Sequence, residues 1–137
     1  MVYDFGGGTL DVTVIQILRK KVTVKAINGD NQLGGQDLDI EMVKWAIEQY
    51  NKDDNTTEPL LFNNQRAMAR LRKACSEAKD LLANADSAII DVDNIIRGND
   101  LDLEISRAIF EDICQPYFDR CMIPVIKSLK EANITKD

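Results

Sequence analysis

The stretch D-F-G-G-G-T-L-D, residues 4–11, constrains this chain more than any other. Three consecutive glycines weaken whatever strand they interrupt, because they lose more conformational entropy on ordering and bring no side chain to pack. An acid at each end and a threonine directly after the glycines add polar groups around a bare backbone. Such a run makes sense where something approaches the main chain closely. Glycines in a tight turn let successive N–H groups converge on one point, and a nest of this kind binds anions such as phosphate. Two carboxylates beside a phosphate would repel it unless a divalent cation lay between. Mg²⁺ keeps most of its waters and shares its remaining positions between carboxylates and substrate phosphates. The motif is neither a Walker loop nor a dinucleotide fingerprint, since no G-K-[ST] and no helix follows it.

The flanking residues place this loop between strands. Met1–Phe5 reads as a short strand, and L-D-V-T-V-I-Q-I-L, residues 10–18, alternates with period two. Arg19-Lys20-Lys21 predicts a charged turn and Val22–Ile27 a third strand, making an antiparallel meander that N-G-D-N-Q-L-G-G, residues 28–35, then breaks. Asp37 is expected to cap a helix from Leu38 to about Tyr50 with Ile40, Val43, Ile47 and Tyr50 on one face. The polar run at 51–59 ends in proline and predicts a solvated connection. A second helix is expected over 64–84 with Met68, Leu71, Cys75, Ala78 and Leu82 as its core stripe. Residues 88–92 and 101–105 alternate around Gly98-Asn99-Asp100 and predict a hairpin. Ser106 is expected to cap a last helical region, interrupted near Pro116 and ending near Ala132. This order predicts an α+β fold with helices covering mainly antiparallel sheet.

The chemistry open to the chain is narrowed by what it lacks. It contains no histidine, so Ser-His and Cys-His nucleophilic mechanisms are excluded. With 17 basic and 23 acidic residues the net charge is −6, which argues against bulk binding to nucleic acid or anionic membrane. No apolar run approaches the ~20 residues that span a bilayer. Cys75, Cys114 and Cys121 are an odd count without C-x-x-C spacing, which predicts buried free thiols in a reducing, cytoplasmic setting.

D-F-G-G-G-T-L-D-V-T resembles the second phosphate-binding motif of the seventy-kilodalton heat-shock chaperones, whose nucleotide-binding domain is an actin-like ATPase. N-G-D-N-Q-L-G-G-Q-D-L-D, R-L-R-K-A-C-S-E-A-K and S-R-A-I-F-E-D-I extend the resemblance in the right order over essentially the whole chain. The resemblance implies an actin-like ATPase lobe, residues 1–36 forming part of its inner subdomain and residues 37–137 its outer one. It implies a fragment of a longer chaperone, without the other phosphate motif, the catalytic lysine, the adenosine motif or the peptide-binding domain, and inactive as an ATPase when isolated.

By the same resemblance, Gly6, Gly7, Gly8 and Thr9 would hold the phosphates of ATP or ADP. Asp4 and Asp11 would hold the water shell of Mg²⁺ and, with Thr9, help place the attacking water. Gly34 and Gly35 match a pair that lets the backbone approach the nucleotide, and Lys79 matches a nucleoside contact on the second helix. Gln36 stands where the family usually has Glu, which removes one negative charge near the cleft; on the second helix Asp80 stands where the family has Arg and Ala83 where it has Ser, which weakens the adenosine stripe. A surface lysine paired with Asp80 or Glu77 is the competing reading of Lys79. The implied partners are unfolded polypeptide clients, nucleotide-exchange factors and J-domain co-chaperones. The alternative function is a non-catalytic relative that serves as an interaction module for exchange factors.

Overall fold

The computed structural model describes residues 1–52 and 63–135. Among these residues five strands and three helices follow one another as β1 (Val2–Phe5), β2 (Leu10–Leu18), β3 (Lys21–Asp30), α1 (Gly35–Asn51), α2 (Gln65–Leu82), β4 (Ser87–Ile96), β5 (Asn99–Ser106) and α3 (Arg107–Glu131). The strands form an antiparallel sheet in the order β1-β2-β3 and a two-stranded β4-β5 hairpin. The fold class is the α+β arrangement expected. The described residues divide into two compact units, Met1–Leu38 with Gln115–Asp137, and Asp39–Cys114. The first break therefore comes two residues after the expected one at 36/37, and residues from 115 onward belong to the first unit.

In the first unit, period-two alternation sends Leu10, Val12 and Val14 of β2 to one face, where each is buried. The second half of α3 covers that face, because Tyr117, Cys121, Val125 and Leu129 recur every four residues and so lie on one stripe. Leu33 joins them with no exposed surface. Burying side chains of this size stabilises by about 1.5–3 kcal/mol each. Polar bonds fix the register of helix on sheet. Asn28 Nδ2 donates to Ser128 Oγ at 3.0 Å and to Glu131 Oε2 at 2.9 Å, and Arg120 Nη2 meets Asp30 Oδ2 at 2.7 Å. The opposite face carries Val2, Ile17, Val22, Val24 and Ile27, all more than half exposed. Absent partner strands would predict uncovered Val2, Phe5, Val12 and Val14. Val2 is exposed and Phe5 half-buried as expected, whereas Val12 and Val14 are buried, on the face to which α3 returns.

Asn28, Gly29 and Asp30 do not break β3. They pair with Val12, Asp11 and Leu10, which continues the ladder to its end. Lys21 likewise begins β3, leaving Arg19 and Lys20 as a two-residue turn with both φ positive, 47° and 68°. Turns of this handedness match the twist of a hairpin.

In the second unit α2 has the expected stripe, with Met68, Leu71, Cys75, Ala78 and Leu82 buried, and the Asn64 side chain accepts the Ala67 N–H at its start. Four expectations need correction. Helix α1 begins at Gly35, so Asp37 lies inside its first turn rather than before it. Its buried residues include Met42, Val43, Ala46 and Ile47, and Ile40 is exposed because it falls outside the arc those four define. The hairpin is longer than its alternating cores: Arg97-Gly98 form its turn, and a bulge after Val92 absorbs Asp93–Ile95. Helix α3 continues through Pro116 and Pro124. Each proline removes one helical bond, and the side-chain packing on both sides of it holds the helix together. The connection expected over 51–59 lies, from residue 53, outside the described residues; Asn51 still ends α1. All three cysteines are free and buried.

Candidate functional site

Register places the candidate acids. Phe5 pairs with Leu10, and Asp4 with Asp11, so β1 and β2 close directly onto the glycine turn. The turn is held at its neck by the Gly6 N–H donating to the Thr9 carbonyl at 2.8 Å. Leu10 is buried under α3, so alternation turns Asp11 to the other face, and Asp4, its direct cross-strand partner, follows it there. Both carboxylates are exposed.

Beside them lies an open cavity of about 490 Å³ lined by Thr9, Asp11, Gly29, Asp30 and Asn31. Three of these residues come from the end of β3 and the turn after it. In sequence that stretch reads only as a breaker, although its Asn, Gly and Asp are turn-formers that also serve as polar lining. The Asp30 carboxylate accepts the Gln32 N–H at 2.9 Å and meets the Arg120 guanidinium. Those two contacts, the backbone one first, hold it below the usual carboxylate range.

The glycines differ in what they meet. A methyl group built on Gly34 would lie 2.4 Å from the Gly8 nitrogen and 2.5 Å from the Gly7 carbonyl group, so Gly34 is glycine because two backbones touch there. A methyl group on Gly6 would have only ordinary contacts with Thr9, and one on Gly7 would come no closer than 3.7 Å to the Gln36 Nε2. One on Gly8 would meet no described atom within 4 Å. Packing among the described residues therefore does not account for the bare backbone at Gly8.

Segment 34–36 also bonds to the loop. Gly35 N–H donates to Gly6 O at 2.9 Å and Gln36 N–H to Gly7 O at 2.8 Å. Asp4, Gly6, Gly7, Gly8, Thr9, Asp11, Gly34 and Gly35 are thus gathered in the first unit. Lys79 belongs to the second. Its Nζ lies 2.6 Å from Asp39 Oδ1, with about a fifth of each side chain exposed. This ion pair reaches across to α1, a partner that same-helix spacing could not have revealed.

Magnesium and nucleotide can be tested against this donor set. Among the described residues no group of three or more His, Cys, Asp or Glu is placed to hold a metal by itself. Asp11 on the cavity wall, with the exposed Asp4 directly across the ladder from it, suits a hydrated cation that takes its other ligands from a phosphate chain. The space over Gly8, which a Cβ would fill, suits the phosphate. The residues present fit both groups.

A model of the Hsp70 protein family matches residues 1–137. The chain is 38% identical to a heat shock protein of Pyricularia oryzae and 39% identical to a heat shock 70 kDa protein of Trichophyton rubrum, each over 99% of its own length. It is 35% identical, over the same share, to heat shock cognate 70 kDa protein 3 of Dictyostelium discoideum. It spans only about a fifth of those proteins, 22%, 20% and 21% of their lengths. With the family's pattern matched from the first residue to the last, and the glycine hairpin and its acids assembled as described, this chain belongs to the Hsp70 family and carries part of its actin-like ATPase fold.

Proposed function

We propose that this chain is part of an ATP-binding, ATP-hydrolysing molecular chaperone, and that its first unit supplies the hairpin that grips the β- and γ-phosphates. The observation that carries this reading is Gly8, bare where no described atom requires it. With the Gly6 and Gly7 carbonyls taken by Gly35 and Gln36, the N–H groups of Gly7 and Gly8 point the opposite way, because the C=O and N–H of a trans peptide are antiparallel. They are donors for phosphate oxygens. The Thr9 hydroxyl accepts or donates beside them and orients a water for attack. Asp4 and Asp11 would hold the water shell of the cation by accepting hydrogen bonds from it, and would help to place the attacking water. When bound, Mg²⁺ supplies neutralisation of the charge on the phosphate oxygens. Such positioning and electrostatics account for most of the catalysis of phosphoryl transfer, which needs no histidine.

Gly8→Ala tests this reading. The added methyl meets no described atom, so the variant should unfold at the parent's denaturant midpoint while losing Mg-ATP binding measured by calorimetry. Unchanged Mg-ATP binding in a folded Gly8→Ala chain would refute it.

The unit that begins at Met1 corresponds, in this reading, to the inner subdomain and the unit Asp39–Cys114 to the outer one. A cytoplasmic location accords with three free thiols, and none of the described helices is long and apolar enough to cross a membrane. Relatives named as heat shock proteins, and one from Zygosaccharomyces rouxii named a ribosome-associated molecular chaperone, support the chaperone role. Client polypeptides, J-domain co-chaperones and nucleotide-exchange factors are the corresponding partners. The second reading, an interaction module for exchange factors, is favoured by one observation: Lys79 is engaged by Asp39, and its neighbours Asp80 and Ala83 offer a nucleoside neither a cation nor a hydroxyl.

A further inference from the structure

The glycine loop does not hold its own shape. Its internal bond joins Gly6 to Thr9, at the neck, and leaves the peptide units between free to rotate. What restrains them arrives from segment 34–37. Gly35 and Gln36 donate their N–H groups to the carbonyls of Gly6 and Gly7. Gly34 lies against the face of the Gly7–Gly8 peptide, at distances that no Cβ tolerates.

That segment is in turn closed on itself. The Gly34 N–H donates to Asp37 Oδ2 at 2.8 Å, and the Asp37 N–H returns a bond to the Gly34 carbonyl at 3.1 Å. The carboxylate at the third helical position thus reaches back to the residue before the helix, as in a capping box. Here the residue before the helix is glycine and has no side chain to contribute. The carboxylate of Asp37 is the side-chain group that sets the direction of the first turn.

We infer that Gly34 and Asp37 are positioning residues for the phosphate loop, Asp37 acting through Gly34. Asp37 fixes the Gly34 peptide and thereby aims the next two N–H groups. Those groups capture the Gly6 and Gly7 carbonyls. The captured carbonyls turn the Gly7 and Gly8 N–H groups outward, and two carbonyl dipoles that would repel a phosphate are removed from its side. Gly34 permits the contact distance at which this transfer works. The role rests on reading the loop as a phosphate grip, but the clamp itself is a property of the protein alone.

The test compares the parent 137-residue chain with Asp37→Ala and Asp37→Asn, by amide hydrogen exchange and by Mg-ATP titration followed in amide NMR shifts. In Asp37→Ala the Gly35 and Gln36 amides should exchange roughly tenfold faster, with the Val14 and Ala26 amides of the sheet unchanged, because a charge-assisted bond closing that turn is lost. Mg-ATP affinity should fall by roughly the same factor. Asp37→Asn keeps an oxygen that can accept the Gly34 N–H, so exchange and affinity should both return to within about threefold of the parent. Parent-like exchange of Gly35 and Gln36 in Asp37→Ala would overturn the inference, as would a loosened loop that still binds Mg-ATP like the parent. A parent chain with no Mg-ATP shift at Gly7, Gly8 or Thr9 would overturn the phosphate reading and the role given to the loop. The exchange rates would still decide whether Asp37 holds it.

Discussion

Asp4 and Asp11 are direct cross-strand partners, two carboxylates side by side at the mouth of the glycine turn. Like charges placed opposite one another in an antiparallel pair destabilise it. A fold with no use for the pair would gain by losing one member.

Asp11→Asn should therefore stabilise the metal-free chain by about 0.5 kcal/mol, read from its urea midpoint. The same variant should weaken Mg-ATP binding roughly tenfold, since a neutral amide holds the hydrated cation less well. A loss of stability would show that the pair is not repulsive in the folded state.

Arg19 and Lys20 both adopt positive φ in the β2–β3 turn, 47° and 68°, without a glycine between them. Asn-Gly suits this turn better. Replacing Arg19 by Asn and Lys20 by Gly should raise stability by about 1 kcal/mol and the Tm by about 3–5 °C. Differential scanning calorimetry checks this.

Burial pushes the thiols of Cys75 and Cys114 up from 9.0 to about 12, with nearby carboxylates adding to the shift, Asp39 at Cys75 and Glu41 and Asp39 at Cys114. In the unfolded chain they ionise near their ordinary value. Their burial in the neutral form therefore favours the folded state fully below pH 9, and that advantage declines as the pH rises from 9 towards 12. Urea midpoints between about pH 8 and 10.5 should fall more steeply for the parent than for a Cys75→Ala, Cys114→Ala double variant. At about pH 8 a thiol reagent should modify Cys121, 8% exposed, before either of the others, which have no exposed surface.

The Lys79–Asp39 pair joins α1 to α2 at 2.6 Å in a largely covered setting. Removing Asp39 leaves a lysine partly buried without this partner. Asp39→Ala should cost about 1–3 kcal/mol, against less than about 0.5 for Asp80→Ala on the exposed side of α2. Equal effects in chemical denaturation would mean that the pair does not stabilise the second unit.

Local rules were enough for much of this molecule. Alternation in L-D-V-T-V-I-Q-I-L identified β2 and the faces of its residues, and a five-member stripe identified the buried side of α2, because side-chain direction in a strand or helix follows directly from residue spacing. The glycines, threonine and paired acids of residues 4–11 marked the candidate site for the same reason: their chemistry is local. Tertiary structure decided the rest. Only packing of α3 on the first sheet shows why Val12 is covered and why Pro116 does not end a helix. Only a contact between residues 26 positions apart in the chain separates Gly34, bare because a backbone lies against it, from Gly8, bare with nothing described above it. Spacing along a chain specifies which way a side chain points; what it meets there depends on residues that the fold brings from elsewhere.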